Sequence, residues 1–250
     1  MKNPVLLVIA WTFAACSKQS AHIILASATL NNQITTTIQF SGYMWNVKDG
    51  INLGPGPNNW SKGNVWVDSS GFLHLKISKD PSTGKWLCAE VSTQQTFLYG
   101  KWQFWVEGRI DNMDKNVVLG LFNYSGHDGF DEMDIEWARW GNNRYPNCNY
   151  TVWPAQQDIN NFSFTKEITL SANNTTQRFT RTSNSVLFQT LQGFKDDNSN
   201  QIAMATCTAP PNSISTLPMP AFINLWLFQG HAPSNKKGVE IIIHKFTYTP

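Results

Sequence analysis

From about residue 36 onward, apolar and polar side chains alternate in short runs. Leu73, Leu75 and Ile77 are separated by His74 and Lys76. That is the period of a strand with one face in a core and one in water. Similar β-rich runs are expected at 36–40, 64–68, 72–78, 86–93, 102–110, 117–124, 130–138, 149–153, 176–182, 186–190, 222–228 and 239–248. Turn-forming Gly, Pro, Asn and Ser cluster between them, as in Gly54-Pro55-Gly56-Pro57 and over 79–85, 193–201 and 208–220. No segment carries an amphipathic helical stripe longer than about two turns. Many short strands at regular spacing predict an all-β sandwich or barrel. Without an internal repeat or linker, residues 36–250 read as one domain.

The N-terminus has a different pattern. Lys2 precedes an apolar run from Val5 to Ala15, which ends at Cys16. The run is too short to span a bilayer and has the layout of an export signal. Phe13-Ala14-Ala15-Cys16 resembles a bacterial lipobox, so residues 1–16 are expected to be a lipoprotein-type signal with Cys16 acylated. Residues 17–35 would then be a tether, and the protein an exported cell-envelope lipoprotein. A soluble secreted protein, cleaved near Ala28, is the alternative. Setting Cys16 aside leaves Cys88, Cys148 and Cys207, which permit one disulfide and one thiol. No C-x-x-C pair is present and the five His are scattered, so no metal site and no cofactor are expected.

Composition narrows the function. With 19 Lys+Arg against 17 Asp+Glu, the chain has no sequence-wide attraction for nucleic acid. Its 11 Trp and 15 Phe exceed what a core alone suggests. They suit a protein that stacks sugar rings on indoles. A polysaccharide is therefore the expected partner. The expected state is a monomer that meets a membrane only through the lipid anchor.

The chemistry concentrates in Phe130-Asp131-Glu132-Met133-Asp134-Ile135-Glu136-Trp137. On a strand, Glu132, Asp134 and Glu136 share one face while Met133, Ile135 and Trp137 enter the core. Like charges roughly 6–7 Å apart repel, so such a face costs stability and raises at least one carboxyl pKa. A protonated acid beside an ionised one is what glycoside hydrolysis requires. A solvated acidic face or a divalent-cation site is the alternative for an isolated E-x-D-x-E.

The motif and its surroundings together resemble glycoside hydrolase family 16. Glu132–Glu136 is similar to that family's active-site strand. Lys85-Trp86-Leu87-Cys88-Ala89-Glu90-Val91 with Tyr99-Gly100-Lys101-Trp102 resembles its "CGE…YG" strand pair, and Val117–Tyr124 its preceding strand. Asn149-Tyr150 and Asn224-Leu225-Trp226 resemble an Asn-aromatic pair and a late "NLW" strand. The resemblance covers about residues 36–248. It implies a concanavalin A-like β-jelly roll with a concave cleft, and retention by double displacement. Glu132 would be the nucleophile, Glu136 the general acid/base, and Asp134 the residue tuning both. The motif has the unbulged form of lichenases and xyloglucan-active enzymes, which implies a mixed-linkage or related β-glucan. Ser92 stands where the lichenases place an Arg.

Glu90, Tyr124, Trp140, Asn149, Trp153, Asn224 and Trp226 are the expected substrate-binding residues. Glu90 could instead pair with Lys101 or Arg109, and Tyr124 could be a core edge residue. Trp102 and Trp105 fall on opposite faces of one strand, so one is expected in the core and one in the cleft. A lectin-like binding module and a transglycosylase remain as alternatives to hydrolysis.

Overall fold

A computed structural model describes residues 36–208 and 213–250. The expected signal, tether and acylated Cys16 lie outside the described residues. Seventeen strands follow in order: β1 (Thr37–Phe40), β2 (Tyr43–Val47), β3 (Gly50–Leu53), β4 (Asn58–Trp60), β5 (Val65–Val67), β6 (Leu73–Lys79), β7 (Trp86–Phe97), β8 (Gly100–Glu107), β9 (Val117–Tyr124), β10 (Glu132–Ala138), β11 (Cys148–Trp153), β12 (Phe162–Lys166), β13 (Asn174–Arg181), β14 (Val186–Gln192), β15 (Gln201–Cys207), β16 (Met219–Leu227) and β17 (Val239–Thr249). Among the described residues the helical structure is three single 3-10 turns.

Pairing defines two layers. One sheet runs β1-β2-β7-β16-β9-β10-β11-β12 and the other β5-β6-β17-β8-β13-β14-β15, both antiparallel. Strand β4 pairs with β7 in parallel, and β3 pairs with β4. The alternation predicted an all-β sandwich or barrel, and the two layers are the jelly-roll sandwich that the family resemblance implied.

The core lies between the layers. Met133, Ile135 and Trp137 of β10 are fully buried, as are Trp102, Phe104 and Val106 of β8. Trp102 stacks on Phe179, and Tyr150 on Phe188 at 5.1 Å. Each such side chain contributes about 1.5–3 kcal/mol relative to exposure. Strand β10 is hydrogen-bonded on both sides in one-to-one register with β9 and β11, so its acidic face is rigidly held. The register contains no bulge.

Three readings of the sequence need correction. Trp105 does not face the cleft: β8 belongs to the second sheet, so its outward side is the opposite surface of the molecule. There Phe194 stacks on Trp105 at 5.2 Å and Lys245 lies over the ring. Glu90 pairs with neither Lys101 nor Arg109; Lys48 takes it at 2.9 Å, and Arg109 binds Asp111. Cys88 and Cys148 are buried thiols rather than a disulfide pair.

Candidate active site

The outer face of the first sheet forms the floor of a 690 Å³ cleft. Its side chains stand in rows across the strands. In one row Glu136 of β10 is opposite Gly120 of β9, Gly120 is opposite Asn224 of β16, and Asn224 is opposite Glu90 of β7. In the next, Asp134 is followed by Phe122 and Phe222, whose rings stack at 4.9 Å. Glu132 is opposite Tyr124 on one side and Trp153 on the other. Neighbouring strands are only about 4.8 Å apart, so each row brings side chains from distant sequence into contact.

Gly120 keeps the Glu136 row open. A Cβ there would lie 2.4 Å from Asn224 Oδ1. That oxygen is buried and has no hydrogen-bond partner among the described residues, while Asn224 Nδ2 donates to Glu90 Oε2 at 3.1 Å. Lys48 Nζ donates to Glu90 Oε1 and to the Gly54 carbonyl, and lies 4.3 Å over the Trp60 ring. It thereby ties the Gly54–Pro57 rim to the floor.

The triad carboxyls hold protons unusually tightly. Burial is the largest cause for Glu136, pushed up to about 8, and the Glu132 charge adds to it. Burial also pushes Glu132 up to about 7, against a hydrogen bond from Asp134 that favours its charged form; Asp128 and Glu90 raise it further. Burial, then Glu132 and Glu136, hold Asp134 well above the ordinary carboxyl range. Repulsion was the cause expected from the strand pattern; desolvation at the base of the cleft outranks it. The outcome is a set of three carboxyls that all resist ionisation and cannot all be charged together. Such a set can donate one proton while presenting a carboxylate beside it.

Of the expected substrate-binding residues, Glu90, Tyr124, Asn224 and Trp226 line the cleft. Tyr124 donates to Asp128 Oδ1 at 2.6 Å. Trp140, Asn149 and Trp153 are not part of that lining. Trp140 packs behind Trp226 against Phe228, and its Nε1 donates to Asn149 Oδ1 at 3.3 Å. Asn149 in turn donates to the Glu136 and Ala138 carbonyls, so it clips β10 to β11. Trp153 Nε1 donates to Asp134 Oδ2 at 3.0 Å.

Lys48, Phe122, Asp128 and Phe222 line the cleft without having been expected there. Phe122 and Phe222 were within reach of the alternation rule, two residues from Tyr124 and Asn224. Lys48 follows a strand hidden among turn-forming residues.

Among the described residues no group of His, Cys, Asp and Glu could hold a metal ion. No family model matches the chain, and no curated protein matches it. Solved structures do. A Bacillus licheniformis β-glucanase aligns at 21% identity and a TM-score of 0.62, over 82% of this chain and 92% of that one. A prokaryotic β-1,3-1,4-glucanase (lichenase) from a mouse hindgut metagenome aligns at 20% identity and 0.62, over 85% and 95%. A protein of Mycobacterium tuberculosis described as an immunostimulatory antigen and pseudo β-1,3-glucanase aligns at 14% identity and 0.61, over 82% and 91%. At these identities the likeness defines the fold: this chain has the glycoside hydrolase family 16-type jelly roll of the β-glucanases.

Proposed function

We propose that the chain is a retaining, endo-acting glycoside hydrolase of family 16 that cleaves a β-glucan. The observation that carries this reading is the Glu132/Asp134/Glu136 row at the base of the cleft, where burial holds all three carboxyls above their ordinary range. The Glu132 carboxylate attacks the anomeric carbon as the glycosidic C–O bond breaks. Glu136 gives its proton to the leaving oxygen. Glu136, now a carboxylate, takes a proton from water as the water oxygen attacks the same carbon and releases Glu132. Asp134 shares a proton with Glu132 and limits the charge on the row. Glu90, Tyr124, Asn224 and Trp226 bind sugar hydroxyls and ring faces.

Reducing-sugar release from lichenan, laminarin and xyloglucan tests the reading. Activity on one of them that is lost in both Glu132→Gln and Glu136→Gln supports it; activity surviving in both variants defeats it. Because one neighbour is described as a pseudo-glucanase, a binding protein on the same scaffold is the second reading. Tight glycan binding without turnover, indifferent to Glu132→Gln, would select it. Products longer than the input oligosaccharide would select transglycosylation. The export reading places the enzyme on the cell envelope through acylated Cys16. Fatty-acid incorporation that persists in Cys16→Ser would refute that placement.

A further inference from the structure

Trp153 was expected to stack on sugar, yet its indole nitrogen points elsewhere. It stands on β11 directly opposite Glu132 and reaches diagonally to Asp134 Oδ2 at 3.0 Å. Asp134 is almost fully buried, 4% exposed, and shares a hydrogen bond with Glu132. An indole N–H can only donate. Asp134 Oδ2 is therefore an acceptor, and it cannot also present a proton along that line. Two ionised carboxyls cannot bond to each other, since both would be acceptors. The Asp134–Glu132 contact thus contains one proton.

We infer that Trp153 is a positioning residue that locks the orientation of Asp134 beside Glu132, by holding Asp134 Oδ2 as an acceptor. The inference rests on reading Glu132 as the nucleophile, and it assigns Trp153 an electrostatic task instead of a sugar platform. The indole N–H also stabilises the pair when it bears a negative charge. Without it, the pair takes up its second proton at higher pH. Other titratable groups facing the pair are Tyr124 from β9, Asp128 from the loop after it, Glu90 from β7 and Glu136 on the same strand. Strand β16 presents Phe222 and Asn224, neither of which titrates in this range.

The test is a carboxyl carbon NMR titration of the protein, with Glu132→Gln and Asp134→Asn to assign the signals. Two replacements of Trp153 are compared: Trp153→Phe, and the benzothiophene analogue of tryptophan, which keeps the shape and removes only the N–H. The expected result is a rise of about one pH unit in the titration midpoint of the Glu132–Asp134 pair in both, the size of a charge-assisted hydrogen bond. A midpoint that does not move, or that moves with Trp153→Phe but not with the analogue, overturns the inference. If Trp153→Phe does not fold, the analogue alone decides. The readout needs no turnover, so it is independent of whether the chain hydrolyses glucan. Loss of hydrolysis in the wild type would defeat the enzyme reading while leaving the midpoint measurement valid.

Discussion

Two acidic regions of this molecule are treated in opposite ways. Away from the cleft, on the second sheet and at the ends of β10 and β12, acids have partners. Asp68 and Glu240 flank His74, Glu107 meets His244 at 2.5 Å, and Glu167 meets Arg139 at 2.6 Å. On β10, three carboxyls share one face, and among the described residues none of them has an ion-pair partner. The nearest cation in the cleft, Lys48, is committed to Glu90 and the Gly54 carbonyl. A fold selected for stability neutralises its acids, as the outer surface does. Leaving three unpaired at the base of a cleft costs stability and sets up a proton donor beside a carboxylate.

The sharpest way to break this contrast is to remove the triad's carboxylates one at a time. Glu132→Gln should lower the turnover rate on the order of 10⁴-fold or more, since no nucleophile remains. Glu136→Gln should cost about 10²–10⁴-fold on natural linkages and much less on an aryl glycoside whose leaving group needs no proton. Equal losses on both substrates would deny Glu136 the role of acid.

The pH profile of kcat/KM comes next. Activity requires Glu132 ionised and Glu136 protonated. It should therefore fall as pH drops through about 7 and as pH rises through about 8. Glu136→Gln should abolish the alkaline limb and keep the acid one.

Stability should move least and in a direction opposite to common experience. Glu136 binds its proton more tightly folded, near 8, than at its ordinary 4.5. The folded state therefore loses stability as pH rises from about 4.5 to about 8, and the full penalty remains above that. Glu136→Gln should stabilise the protein by about 1–3 kcal/mol at alkaline pH and hardly at all near pH 4 in denaturant melts. Glu167→Gln, at the outer ion pair with Arg139, should change stability by less than about 1 kcal/mol. A destabilising Glu136→Gln at high pH would remove the distinction between the two regions.

Much of this was legible in the sequence. Alternation located β6 and β10 and set the triad on one face, because a two-residue period follows from strand geometry alone. Strands β3 and β4 were hidden by the Gly, Pro and Asn of 50–59, which read as turns, and the short β2 stands between Ser41-Gly42 and Asp49-Gly50; β7 pairs with β2 and β4, and β4 with β3. Strands β12 and β15 were missed for a related reason. β12 is a short edge strand after β11, and β15 follows a polar turn and is defined by β14. In the site, residue types were readable but directions were not. Nothing in the spacing says that Trp153 turns its N–H to Asp134, or that Trp105 belongs to the far surface. Such facts depend on which sheet a strand joins and which row it enters.

The most direct test of the central claim is to trap the glycosyl-enzyme. A fluorosugar β-glucosyl inactivator, which forms the intermediate but stalls its hydrolysis, should add one glycosyl unit to the protein. Peptide mass spectrometry should place it on Glu132, and Glu132→Gln should remain unlabelled. A glycosyl adduct on Asp134 or Glu136, or substrate turnover with inversion and no adduct, would contradict the account.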